Sequence, residues 1–134
     1  MFHVDAKHPT PLYHQLERSI RFAIAIGKLR IGDQLPTVRQ LAVDLRINAN
    51  TVAKVYTELE HAGVLETRRG VGTFVLEQPA EAAHGRRDRD RQLRELTDHF
   101  IAETHTRGFT IDEVIEHLQT RRRKVVQAAS LRSK

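Results

Sequence analysis

Three short stretches of this 134-residue chain carry side chains able to grip a polyanion or read hydrogen-bonding edges. The first holds Thr37 and Arg39, where a guanidinium offers a planar fork of donors that matches guanine O6 and N7, or a phosphate. The second is Asn48-Ala49-Asn50-Thr51-Val52-Ala53-Lys54, in which amides, a hydroxyl and an ammonium alternate with small residues. A small polar surface of that kind lets a helix approach base edges closely, while Lys54 suits a phosphate better than a base. The third is Arg68-Arg69-Gly70, two arginines beside a glycine whose backbone can come near a phosphate or the floor of a narrow groove. Each stretch also has an ordinary reading: Arg39 and Lys54 as solvated surface, Asn48 as a helix cap, the basic turn as an edge guard. The elements that carry the three stretches decide between these readings.

Leu12, Leu16, Ile20, Ala23 and Ile24 recur at helical spacing behind Thr10-Pro11, which reads as a cap followed by a first-turn proline, and Gly27 closes the helix. Thr37 and Gln40 have capping-box spacing at the head of a second, short helix with Val38, Leu41, Ala42 and Leu45 inward, ending near Arg46. Asn48 then caps a third helix. Its inner stripe is Val52, Val55, Tyr56, Leu59 and Ala62, and its outer face is Ala49, Asn50, Ala53, Lys54, Thr57 and His61. Two helices joined by a short turn, the second with a small polar outer face, predict a helix-turn-helix. Val64–Thr67 and Thr73–Leu76 alternate as strands around the basic turn. A lone two-stranded hairpin is unstable, so it must pack on the helices, and its tip then projects beside the third helix as a wing.

The predicted fold is therefore mainly α with a small β-hairpin: a winged helix-turn-helix DNA-binding domain over residues 1–77. Residues 78–85 read as a linker, and residues 86–134 as a two-helix tail. In the tail, Leu93, Leu96, Phe100 and Ile101 share one face before Arg107-Gly108. Beyond the Thr110/Glu113 box, Ile111, Val114, Ile115 and Leu118 line the last helix. So few apolar residues cannot build an independent core. These eight residues must bury against the winged domain of the same chain or against a second copy; the polar linker between favours the second copy, so a homodimer is expected. The run Arg121-Arg122-Arg123-Lys124 either grips flanking DNA or complements the end of its helix.

Composition narrows the function further. The net charge is +5, there is no cysteine, and the aromatic residues are two Tyr and five Phe with no Trp. Disulfides, thiol chemistry and Cys-ligated zinc are excluded, and a deep stacking pocket is disfavoured. No apolar run approaches the roughly 18 residues of a membrane span, and Phe2-His3-Val4-Asp5 does not read as a signal peptide, so a cytoplasmic protein is expected. The eight histidines do not cluster at metal-ligand spacing; His99 and Glu103 are only two ligands, so no metal or other cofactor is expected. No glycine-rich phosphate loop, Gly-x-Ser-x-Gly or carboxylate pair suggests an enzyme. A small-molecule effector stays open.

These motifs, in this order, resemble the GntR family of bacterial transcriptional regulators. The likeness runs from Pro11-Leu12-Tyr13-His14-Gln15-Leu16 through Gly27-Lys28-Leu29-Arg30-Ile31-Gly32-Asp33-Gln34-Leu35-Pro36-Thr37-Val38-Arg39-Gln40-Leu41-Ala42. It continues through Asn48-Ala49-Asn50-Thr51-Val52-Ala53-Lys54-Val55-Tyr56, Leu59–Leu65 and Arg69-Gly70-Val71-Gly72-Thr73-Phe74-Val75. The short tail resembles the YtrA subfamily of that family, whose members lack a large effector domain. The resemblance implies a sequence-specific regulator, most simply a repressor acting as a homodimer on an inverted-repeat operator in double-stranded DNA. It also implies contacts from Arg39, the start of the third helix and the wing-tip glycine. Many relatives carry arginine where this chain has Ala49 and Ala53. Base reading is thereby shifted toward Arg39, Asn48, Asn50 and Thr51, with Ala49 available to a thymine methyl. Two alternatives share the same fold and charge: a non-specific architectural binder, and a protein-interaction adaptor.

Overall fold

Leu16, Ile20, Val52, Val55, Leu59 and Leu65 are sealed from solvent, and the first three helices take their positions because these side chains meet. The computed structural model describes residues 2–76 and 86–132, with side chains over 2–76 and 87–124. Seven elements follow in order: α1 (Leu12–Ala25), α2 (Val38–Leu45), α3 (Ala49–His61), β1 (Leu65–Arg68), β2 (Gly72–Val75), α4 (Arg86–Thr106) and α5 (Ile111–Arg132). They form two units, Met1–Gln78 and Pro79–Lys134. The segment 78–85, expected to be a linker, lies outside the described residues.

The entry to α1 differs from the sequence expectation. Pro11 is the residue before the helix, with φ −55° and ψ 145°, and no side chain caps α1. Thr10 therefore stands one residue too early for its hydroxyl to act as the N-cap. Gln15 organises the segment instead: its amide donates to the carbonyls of Asp5 (2.9 Å) and Thr10 (2.7 Å) and its carbonyl accepts from the Asp5 N–H (2.7 Å). Phe2, at the far end of that segment, is only 6% exposed and joins the core.

Both expected caps of the helix-turn-helix form. The Gln40 N–H donates to Thr37 Oγ1 (3.1 Å) while the Thr37 N–H donates to Gln40 Oε1 (3.0 Å). At α3 the Asn50 N–H donates to Asn48 Oδ1 (2.8 Å). The turn between is so short that Arg46 adopts a left-handed conformation, φ 57°. Helix α3 packs on α1, α2 and β1 and is the central member of the unit. Ala62, expected on its inner stripe, is instead the exposed residue that ends it, because the chain turns away at Gly63 (φ 77°) toward β1.

The strands start one position away from expectation, pairing Leu65 with Val75 and Arg68 with Gly72. A third segment supports them. The Gly32 N–H donates to the Val75 carbonyl (2.8 Å), the Val75 N–H to the Asp33 carbonyl (2.9 Å) and the Leu35 N–H to the Thr73 carbonyl (2.8 Å). The α1–α2 connection thus lies along β2, bridged to it between Gln34 and Phe74, which is how so short a hairpin holds.

In the second unit, Ile101 and Val114 are half-buried, whereas Leu93, Leu96, Phe100, Ile111, Ile115 and Leu118 are all exposed. Of the box expected at α5, the hydroxyl half is present: the Glu113 N–H donates to Thr110 Oγ1 (3.2 Å).

Tyr56 gives this fold a measurable signature. Its phenol is buried and donates to the Pro36 carbonyl (2.7 Å), tying α3 to the start of α2, and burial raises its pKa well above the ordinary 10. Tyr56→Phe should cost about 0.5–1.5 kcal/mol in urea unfolding at neutral pH. A group with a raised folded pKa contributes fully below its unfolded value and loses that contribution as pH rises beyond it. The stability of the wild-type chain should therefore fall more steeply above about pH 10 than that of Tyr56→Phe. Parallel curves would remove the buried-phenol account.

Candidate nucleic-acid interface

The buried stripe of α3 leaves its opposite side for a partner. Val52, Val55, Tyr56 and Leu59 point inward, while Asn48, Ala49, Asn50, Lys54 and Thr57 are exposed and Thr51 and Ala53 half-exposed. The structure thus gathers the second stretch of expected contact residues on one surface, at the N-terminal end of a helix. Backbone N–H groups at such an end attract anions. No carboxylate lies in the first turn of α3 to repel a phosphate.

Arg39 stands in the first turn of α2, exposed, and makes no hydrogen bond or ion pair with the described residues. Its fork of donors is uncommitted. Thr37, by contrast, is engaged: its hydroxyl already accepts the Gln40 N–H, leaving the hydroxyl proton for a partner.

The wing is held to the helices by two side chains that the sequence reading passed over. Glu60 on α3 accepts from the Thr67 N–H of β1 (3.2 Å), and Gln34 donates to the Val71 carbonyl at the tip (3.0 Å). Gln34 lies directly over Gly72, where a Cβ would overlap the glutamine amide, and Gly72 itself has φ 144°. Local pattern gives no warning of either contact, since Gln34 and Val71 are 37 residues apart in the chain.

The two wing arginines differ. Arg69 is exposed at the turn beside Gly70 (φ 76°). Arg68 lies back along the hairpin, its guanidinium 4.5 Å from the centre of the Phe74 ring and 3.4 Å from the Glu66 carboxylate.

Tyr13 of α1 also reaches this face. The Lys54 ammonium sits 4.9 Å above the centre of its ring, a cation–π contact that restrains a flexible side chain. Desolvation first, then the nearby Glu58 and Glu17 carboxylates, raise the Tyr13 pKa. Among the described residues no group of three His, Asp or Glu could hold a metal ion, and no helix is long and apolar enough to cross a membrane.

A helix-turn-helix with an open outer face and a basic wing defines a DNA-binding protein of the winged-helix class. The chain belongs to the GntR family of bacterial transcriptional regulators: the family model described as bacterial regulatory proteins, gntR family, matches residues 12–75. It is 36% identical over 110 residues to the uncharacterized HTH-type transcriptional regulator YhcF of Bacillus subtilis, covering 82% of this chain and 88% of that one. It is 32% identical over 120 residues to the HTH-type transcriptional repressor YtrA of the same organism, covering 89% and 90%. That matched length exceeds the first unit, so the likeness extends into the tail. A solved GntR family transcriptional regulator from Listeria monocytogenes superposes with a TM-score of 0.59 at 28% identity, covering 87% of this chain and 98% of that one. The protein is a DNA-binding transcriptional regulator with a winged helix-turn-helix domain and C-terminal helices.

Gly72→Ala tests the attachment of the wing. The new methyl must displace Gln34 from Val71, and the backbone at φ 144° disfavours any side chain. The expected cost is about 1–3 kcal/mol, with faster amide exchange confined to β1, β2 and residues 32–35. Unchanged exchange would mean that Gln34 does not hold the wing.

Proposed function

We propose that the protein is a repressor that binds an inverted-repeat operator as a homodimer, one copy of α3 in each of two successive major grooves. The observation that carries this reading is the division of α3 into a sealed face and an exposed one whose N-terminal part, Asn48 to Lys54, is small, polar and uncharged-to-basic, with Arg39 uncommitted on the preceding helix. Arg39, Asn48, Asn50 and Thr51 choose the sequence, with Ala49 against a thymine methyl. Lys54 and Arg69 meet phosphates, Thr37 adds its hydroxyl, and Gly70 lets the wing backbone enter the adjacent minor groove. Arg68, folded onto Phe74, stiffens the wing until DNA offers it a competing phosphate.

The dimer is supported by the tail, where, among the described residues, most large apolar side chains lie exposed along both helices. Two-fold symmetry in the protein then sets two-fold symmetry in the operator, with half-site separation following from how the tails join. Repression follows from occupying a promoter that polymerase must reach, and the protein acts in the cytoplasm, where the chromosome lies. The names of relatives such as the YtrA repressor favour this sign of regulation.

Selection of bound fragments from random DNA, followed by footprinting, supplies the operator. Against it, Arg39→Ala should lose about 1–3 kcal/mol and relax one base position in each half-site. Lys54→Ala should weaken operator and random DNA alike and lower the salt slope by about 1. An unchanged footprint for Arg39→Ala would remove its assignment. Equal affinity of the wild-type chain for every sequence would replace the whole reading by a non-specific binder.

A further inference from the structure

Charge in the second unit is sorted along both helices. Residues 95–119, which span the end of α4, the turn and the first part of α5, contain six acidic side chains and one arginine. The outer parts, residues 86–94 and 120–124, contain nine basic side chains and two acidic. On α5 this order could serve the helix alone, since acids near the N-terminus and bases toward the C-terminus complement the macrodipole. On α4 it runs the wrong way: arginines crowd its first turns, and Glu95, Asp98 and Glu103 follow toward its C-terminal end. Helix stability does not account for the pattern on α4.

The turn brings the acidic parts of the two helices together. Phe100 and Thr104 share a crevice of about 420 Å³ with Glu113, Val114 and Leu118, and Asp98 lines a second crevice with Ile111 and Val114. The corner, with Glu103, Asp112 and Glu113, is an acidic pole, and the parts of the two helices further from it, residues 86–94 and 120–124, are basic. Between the poles run exposed apolar residues: Leu96 (68%), Leu118 (51%), Phe100 (46%) and Ile115 (46%). The ion pairs Arg91–Asp88 and Arg107–Glu103 join only neighbours in sequence and leave this large-scale separation intact. A body with an apolar middle and oppositely charged poles is complementary to itself when turned end for end, and a two-fold axis makes that contact twice.

We propose that a second copy of the chain docks on the tail end for end, apolar residues on apolar residues, with the acidic corner of each copy set against the basic helix ends of the other. This rests on the homodimer reading above and adds to it a polarity and a means of choosing self over other tails. Same-sign poles repel any parallel arrangement, and a tail with a different charge order finds no match.

The test uses two full-length variants and sedimentation velocity. One chain has its corner reversed (Glu103→Lys, Asp112→Lys, Glu113→Lys), the other its ends (Arg91→Glu, Arg122→Glu, Arg123→Glu). All the changes on α4 bring that helix closer to the dipole-favoured order, so circular dichroism should show the helices retained. Each variant alone should dimerise about tenfold or more weakly than the wild-type chain. An equimolar mixture should recover pairing near the wild-type strength, because the reversed corner of one chain then meets the reversed ends of the other, while the second contact joins an unaltered corner to unaltered ends. The proposal is overturned if both variants dimerise as the wild type does, or if the mixture pairs no better than either alone. It is equally overturned if the corner-reversed chain pairs best with the wild type, which would place like poles together. A wild-type chain that stays monomeric at every concentration would instead remove the homodimer reading itself.

Discussion

Everything in the first unit depends on α3 being anchored by one face only. Val52, Val55 and Leu59 are completely buried and Tyr56 nearly so, each such side chain contributing about 1.5–3 kcal/mol on leaving water. Residues Asn48, Ala49, Asn50 and Lys54 contribute almost nothing to that packing, and so are free to be chosen for what they meet outside. The same burial fixes the rotation of the helix. A shift of one residue in the inward stripe would turn the outer face by about 100°, since the helix has about 3.6 residues per turn. The caps at Thr37 and Asn48 and the left-handed turn at Arg46 set where the helices begin and end, but the core sets which way they face.

The wing depends on the same anchor at one remove. Four residues in each strand cannot hold a hairpin alone, and three hydrogen bonds with the α1–α2 connection brace its β2 edge. Glu60 and Gln34 then tie that edge to α3 and to the tip of the hairpin. Gly72 is needed because the glutamine occupies the space of a side chain, a packing demand rather than a turn preference. The wing and α3 are in this way held as one surface.

The tail follows a different rule. Its apolar residues are too few and too exposed to specify a structure by burial within one chain, and the charge order of α4 opposes its own dipole. Among the described residues, the first unit builds a sealed core, whereas the second leaves most of its large apolar residues on the surface.

The positions of α1 to α5, the capping box at Thr37, the cap at Asn48 and the inward stripe of α3 were legible from spacing alone, because helical period and cap chemistry act over a few residues. So was the grouping of Asn48, Asn50 and Lys54 on one face. The entry to α1 was not, because Gln15 reaches back ten residues to Asp5 to set the segment before the helix, and Pro11 rather than Thr10 takes the position preceding it. Nor were the third segment beside β2, the seat of Gln34 over Gly72, the fold of Arg68 onto Phe74 and the perch of Lys54 on Tyr13. Those contacts join residues whose separation in the chain carries no periodic signal, and only the packed core brings them within reach of one another.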